Sequence, residues 1–290
     1  MATTRPGPVL VTGANSGIGL ASVLRFAARG WETYGTVRSR SKAAALRRAA
    51  SAAGVADLVH ALVLDVSDSD AVRARWPRLP DFHAVVNNAG YSELGAVEEV
   101  TPEQALDQLG VNLVAPALIA GLALPAMRER GDGRIVMVSS IAGRLAVLPL
   151  NAWYHASKFG LEALSDVLRM EVAGFGVKVS IVEPGFFKTG IGPRAHAVAD
   201  ARLGAGDSPY AVAYERSGRV LDAIEAVAPP PDRVARTIVS AVESSRPRRR
   251  YLVGTDAHAL TALDWVVPRQ VVDVAARLAS GLGTTDPRAS

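Results

Sequence analysis

A short apolar run that breaks at once into a glycine-rich turn constrains this chain more than any other feature. Pro8-Val9-Leu10-Val11-Thr12 reads as a strand, and Gly13-Ala14-Asn15-Ser16-Gly17-Ile18-Gly19 follows it, opening a helix that runs to about Arg29. A strand without polar alternation belongs in a sheet covered on both faces, the usual setting of parallel strands. Glycines allow a tight turn and close backbone approach. The helix start beyond them offers unpaired N–H groups and positive partial charge, which together suit a pyrophosphate. A turn with a purely structural role would use the same glycines, so the rest of the chain has to discriminate.

The same alternation continues. Strands are expected over 33–37, 58–64, 84–86, 134–138, 177–182 and 250–254. Helices are expected over 42–53, 102–130 with a bend near Pro116, 153–174, and from an Asp232 cap to about Ser244. Strands alternating with helices indicate α/β architecture: a single-domain, Rossmann-like, doubly wound parallel sheet flanked by helices, with ligands at the carboxyl ends of the strands. Residues 8–182 form its core. Residues 186–228 break the rhythm and read as a helical excursion covering the substrate. The tail is amphipathic and broken at Pro268, and residues 283–290 are expected to fray.

Composition excludes several classes. A chain of 290 residues is near the upper size of one hydrophobic core, so one domain covers 1–290. There is no cysteine, which removes disulfides and thiolate metal sites, and no metal is expected. A net charge of +4 is too small to imply nucleic-acid binding; Arg246, Arg248, Arg249 and Arg250 read as a solvated loop rather than a phosphate patch. No apolar run is expected to span a bilayer, and no signal-peptide segment precedes the first strand. The expectation is a cytoplasmic protein without stable membrane insertion.

The chemistry concentrates in Trp153-Tyr154-His155-Ala156-Ser157-Lys158. A phenol is a poor base at neutral pH, and a nearby ammonium lowers its pKa. Four residues apart on a helix, Tyr154 and Lys158 share one face. Alone this pair is weak. It gains weight by following the glycine-rich turn, Asn87-Asn88-Ala89-Gly90, and a strand that ends in Ser139-Ser140.

Those features in that order resemble the short-chain dehydrogenase/reductase family over residues 8 to 190. The stretch from Ser140 to Asp166, with Glu183-Pro184-Gly185-Phe186 and Tyr251-Leu252-Val253-Gly254, is similar to the branch of 17β-hydroxysteroid and retinol dehydrogenases. The resemblance implies a catalytic tetrad of Asn112, Ser140, Tyr154 and Lys158. Tyr154 would exchange a proton with the substrate oxygen and Ser140 would hydrogen-bond it. Lys158 would lower the phenol pKa and hold the nicotinamide ribose, while Asn112 would hold a water. Ser140 lies fourteen residues before Tyr154, one more than the family's usual spacing, with the extra residue within 144–148.

The resemblance also implies a nicotinamide cofactor. Its phosphates would sit on Thr12, Gly13, Asn15, Ser16, Gly17, Ile18 and Gly19. Its adenosine would lie along Asp65, Val66, Asn87, Ala89 and Gly90, and its carboxamide against Pro184, Gly185 and Thr189. NAD-selective members carry an acid at the end of the second strand, where this chain has Val37 followed by Arg38 and Arg40. A guanidinium suits a 2′-phosphate, so NADP(H) is expected over NAD(H), with Arg38 as main contact. Surface arginines are the plainer reading.

Leu145, Val147, Leu148, Leu150, Trp153, Phe186, Phe187, Tyr210 and Tyr214 are expected to form an apolar substrate wall, though core or lid packing would explain each singly. His155 is expected to point off the active face. The reading that follows is an NADP(H)-dependent oxidoreductase interconverting a ketone and a secondary alcohol on a lipophilic small molecule. A redox-neutral epimerase, dehydratase or cyclase of the same fold is the alternative, and a non-catalytic cofactor sensor a third. Relatives imply a homodimer or homotetramer.

Overall fold

In the computed structural model, which describes residues 7–189, 198 and 208–282, the chain forms a seven-stranded sheet with every pairing parallel. The strands are β1 (Val9–Val11), β2 (Thr33–Val37), β3 (Val59–Val63), β4 (Ala84–Asn87), β5 (Gly133–Val138), β6 (Val177–Pro184) and β7 (Arg250–Val253), in the order β3-β2-β1-β4-β5-β6-β7. The direction of winding reverses between β1 and β4, so a crevice opens there above the carboxyl ends.

Strand residues alternate between two apolar layers, as a period of two requires. Val9, Val11, Ala84, Val86, Val136 and Val138 face one layer, with Phe26 and Leu46 from the helices α1 (Gly17–Ala28) and α2 (Arg40–Ala52). Leu10, Val85, Ile135 and Met137 face the other, with Ile119, Met127 and Leu161. Double-sided burial explains why the strands read as unbroken apolar runs.

The stretch 102–130 carries the largest departures. It comprises α4 (Pro102–Leu109), a π-helical segment Gly110–Val114 and α5 (Ala115–Arg130). A capping box between Thr101 and Gln104 starts it. The interruption thus lies just ahead of Pro116, where a bend was expected. Contrary to the expectation from sequence, this helix is long and apolar enough to cross a membrane by length and composition. In this fold Ala115, Ile119, Ala120, Ala123 and Met127 spend that apolarity on the sheet.

A short helix, α3 (Ser69–Arg75), was not foreseen; Asp68 caps it by accepting from the Ala71 N–H at 2.9 Å. The helix α6 (Ala152–Glu171) follows β5. Within the excursion, α7 (Ala211–Val227) packs Tyr214 and Ala213 on Leu94, Ala96 and Leu150. Residues 190–197 and 199–207, and the 283–290 tail, lie outside the described residues. Asp232 is the first residue of α8 (Asp232–Glu243), not its cap; Pro231 takes that position. Two further helices, α9 (Thr255–Val266) and α10 (Arg269–Ala279), are separated at Pro268 as expected.

Candidate active site

The glycine-rich turn is built from beneath. Thr12 Oγ1 accepts the backbone N–H groups of Asn88 and Ala89, each at 2.9 Å, and Asn88 Nδ2 donates to the Thr12 carbonyl at 2.9 Å. Gly13 has φ +68°, and a Cβ on it would lie 2.9 Å from the Ala89 Cα. A Cβ on Gly19 would lie 2.2 Å from the Gly13 carbonyl oxygen, a contact no side chain can make. Ser16 caps α1 without a side-chain hydrogen bond, so the first N–H groups of that helix stay available to an anion.

A cavity of about 560 Å³ runs from this turn across the strand ends. Gly13, Asn15, Ser16, Gly17 and Ile18 line one end, with Arg38, Asp65 and Val66. Ala89 and Gly90 line its middle, and Pro184, Gly185 and Thr189 border the far side. Three residues expected to touch cofactor do not line the cavity. Thr12 spends its hydroxyl on β4, Gly19 packs under Gly13, and Asn87 is buried with its amide on the Pro116 carbonyl at 3.3 Å. Asn88, which was passed over, does line it. So does Lys42 in the first turn of α2, whereas Arg40 does not.

Tyr154, Lys158 and Ser140 meet at the other end. Lys158 Nζ lies 5.8 Å from the Tyr154 ring centroid and donates to the Val138 carbonyl at 2.9 Å. A Cβ on Gly90 would sit 3.2 Å from Asn112 Oδ1 and 3.6 Å from Lys158 Nζ, so a glycine here keeps that corner open. Asn112 itself does not reach the cavity wall. It is fully buried, receives the Tyr91 N–H at 3.1 Å, and donates to the Tyr91 carbonyl at 2.9 Å and to Ser157 Oγ at 3.0 Å. The π segment turns it inward, a geometry such segments provide at functional sites.

Burial pushes the Tyr154 phenol above its ordinary range, and the Ser140 hydroxyl works against it. The lysine is itself pulled down to about 8 by burial, opposed by Glu162 one turn along α6. Desolvation penalises the charged form of each group, so the pair drifts toward neutral phenol and amine.

Ser140 also starts a single 3₁₀ turn (Ile141–Gly143), accepting from the Ala142 N–H at 3.1 Å. His155, expected to point off the active face, borders the cavity and bonds this segment. Its Nδ1 donates to the Ala142 carbonyl at 2.9 Å and its Nε2 accepts the Leu148 N–H at 3.3 Å, a pattern that requires the neutral imidazole. Burial accordingly lowers the His155 pKa. The residue thereby clamps the loop that holds the extra residue.

Sequence reasoning missed a charged cluster beneath Ser139. Glu183 is fully buried and Glu162 nearly so. Arg250 reaches Glu162 at 3.0 Å, Asp166 at 2.6 Å and Glu183 at 3.5 Å, and Arg144 reaches Glu183 at 3.2 Å. Burial pushes Glu162 up to about 7; Glu183 and Asp166 add repulsion while the Ser139 hydroxyl and Arg250 oppose. The only local signal was an acid one helical turn beyond Lys158.

The substrate wall is partly as expected. Leu145, Val147, Leu148, Phe186 and Phe187 line the cavity; Leu150, Trp153, Tyr210 and Tyr214 do not. Leu150 and Tyr214 are core, and the Tyr210 and Tyr214 hydroxyls bond Glu98 and Glu99, fastening α7 to the segment after β4. Leu94, Val111, Ile224 and Leu260 supply the missing apolar surface.

The short chain dehydrogenase family model matches residues 8–198. A probable short-chain type dehydrogenase/reductase of Helicobacter pylori, VdlC, is 33% identical across 93% of this chain and 96% of its own. Human retinol dehydrogenase 5 is 32% identical across 91% of this chain and 86% of its own, in keeping with the branch expected from residues 140–166. Among solved structures, an actinorhodin polyketide ketoreductase with NADPH superposes with a TM-score of 0.71 at 28% identity, covering 87% of this chain and 97% of that one. With its glycine-rich turn, tyrosine–lysine pair and sheet order all in place, the chain belongs to the short-chain dehydrogenase/reductase family.

Proposed function

We propose that this protein is an NADP(H)-dependent oxidoreductase that interconverts a ketone and a secondary alcohol on a lipophilic substrate. One observation carries the reading. A single cavity joins the anion-binding start of α1, with Arg38 and Lys42, to Tyr154 and Ser140 beneath an apolar wall. The residues fit the cofactor. The glycines keep a cradle that a Cβ would fill, α1 leaves N–H groups for phosphate, and Arg38 and Lys42, with no acid in the sequence from 37 to 42, suit a 2′-phosphate. When bound, the nicotinamide supplies or accepts the hydride.

The chain's own groups manage the proton. A phenol is protonated at neutral pH and burial keeps it so, which leaves Tyr154 able to donate to a carbonyl oxygen. The Ser140 hydroxyl would donate to the same oxygen as charge develops there. Lys158, anchored on Val138 and pulled down to about 8, still carries mostly ammonium at pH 7 and loses it just above. Leu94, Leu145, Leu148, Ile224 and Leu260 exclude water and favour an apolar substrate body. A second copy of the chain would seat on the exposed Leu106, Val114, Phe159 and Met170 of the α4–α6 region.

The experiment follows NADPH and NADH absorbance with purified protein and a panel of bulky ketones. Turnover should favour NADPH, and Tyr154→Phe should lower it by about 10² to 10⁴-fold, the usual contribution of a positioned acid. Undiminished turnover in Tyr154→Phe would refute the proton-donor role, and absence of binding to either cofactor would refute the reading as a whole.

A further inference from the structure

The family match ends at residue 198, yet a residue well beyond it reaches the site. After β6 the chain turns through Gly185 into Phe186, Phe187, Lys188 and Thr189, all on the cavity wall. The C-terminal part of the sheet fixes this turn. The Gly185 N–H donates to the Val253 carbonyl at 2.8 Å, and the Phe186 N–H donates to Asp256 Oδ2 at 2.6 Å. Asp256 stands in the first turn of α9, where a carboxylate also complements the helix dipole.

Two glycines leave room for that carboxylate. A Cβ on Gly185 would lie 2.1 Å from Asp256 Oδ2, and one on Gly254, whose φ is +120°, would lie 2.3 Å from Oδ1. An ionised acceptor on a backbone N–H makes one of the stronger hydrogen bonds a protein uses. Nothing in the glycine-rich turn or the β2 end depends on it, because β1, β2 and β3 form the opposite half of the sheet from β6 and β7.

We propose that Asp256 is a positioning residue for the nicotinamide half of the cofactor, holding Pro184 to Thr189 at the height where that segment meets the carboxamide. The inference rests on the NADP(H) reading above. It separates the two halves of the ligand: the adenosine half should be indifferent to Asp256.

The test measures binding of NADP⁺ and of adenosine 2′,5′-bisphosphate, which lacks nicotinamide, to the full chain by calorimetry. Asp256→Ala should weaken NADP⁺ about tenfold, the loss of one charge-assisted hydrogen bond, and leave the bisphosphate within about twofold. Asp256→Asn, which keeps a side-chain oxygen, should recover most of the NADP⁺ affinity. Gly185→Ala, which drives a methyl into the carboxylate, should reproduce the selective loss and carries the test if Asp256→Ala does not fold. Equal losses for both ligands, or none for NADP⁺, would overturn the inference. A wild-type protein that binds neither NADP⁺ nor NAD⁺ would overturn the cofactor reading and the inference with it.

Discussion

Replacing Glu162 by glutamine should make the protein relatively more stable as pH rises. The carboxyl is nearly buried and faces Ser139, Glu183, Asp166 and Arg250, with Lys158 one turn back and Arg144 on the far side of Glu183. Its pKa stands at about 7, against 4.5 for the unperturbed group. A folded-state pKa above the unfolded one means that the folded protein holds the extra proton. The associated stability is complete below pH 4.5 and lost as pH passes through about 7. At full value a shift of this size corresponds to about 3 kcal/mol. Glutamine is neutral throughout and keeps the shape, so it lacks this loss. The variant leaves Arg250 with one fewer anion only where Glu162 is ionised, an attraction already contained in the carboxyl's net shift, and Arg250 keeps Asp166 at every pH.

The observable is therefore the slope, not the offset. Melting temperatures of wild type and Glu162→Gln, measured from pH 5 to pH 8, should diverge in favour of the variant by about 6 °C, at roughly 2 °C per kcal/mol for a chain of this size. Parallel profiles would show that Glu162 is ionised throughout and that the cluster holds it as an ordinary paired carboxylate.

Four further outcomes follow from the geometry. Ser140→Ala should cut ketone turnover by about 10²-fold, the effect of losing one donor to the reacting oxygen, while Ser139→Ala should change it only a few fold; the reverse order would assign the wrong serine. Arg38→Asp should invert the ratio of NADPH to NADH efficiency, because an acid there repels the 2′-phosphate and accepts from the 2′-hydroxyl; an unchanged ratio would leave the selectivity to Lys42 or elsewhere. Gly19→Ala should lower stability by about 1–3 kcal/mol in urea titration, since the new methyl overlaps backbone that cannot yield. Gly121→Ala, exposed in α5 with nothing within 4 Å, should instead stabilise by about 0.5–1 kcal/mol.

The cofactor turn, all seven strands to within a residue or two, and the tyrosine–lysine pair were legible because each is written locally. Unbroken apolar runs mark strands buried on both faces. A glycine turn marks the end of β1, and a spacing of four marks a shared helical face. The short α3 was missed because it carries one buried residue, Val72, and thus no periodic signal. Thr12, Gly19 and Asn87 belong to the motifs yet do not line the cavity, because a motif says which residues gather, not which of them face inward. Leu150, Trp153, Tyr210 and Tyr214 lie off the cavity for the same reason: apolar composition does not separate a lining residue from a packed one.

By itself, the sequence determined the α/β alternation, the order of the strands along the chain and the chemical groups available at their ends, all properties of short windows. The tertiary structure decided which distant groups meet. Setting β7 beside β6 pairs Pro184 with Val253, which brings Asp256 under Phe186 from 70 residues away and Arg250 between Glu162 and Glu183. Gly110 and Pro116 mark a break in that helix, but the π segment that turns Asn112 inward takes its register from packing on the sheet and on Ser157. Local propensity acts over a few residues, whereas side-chain pairing across a sheet depends on the path of the whole chain.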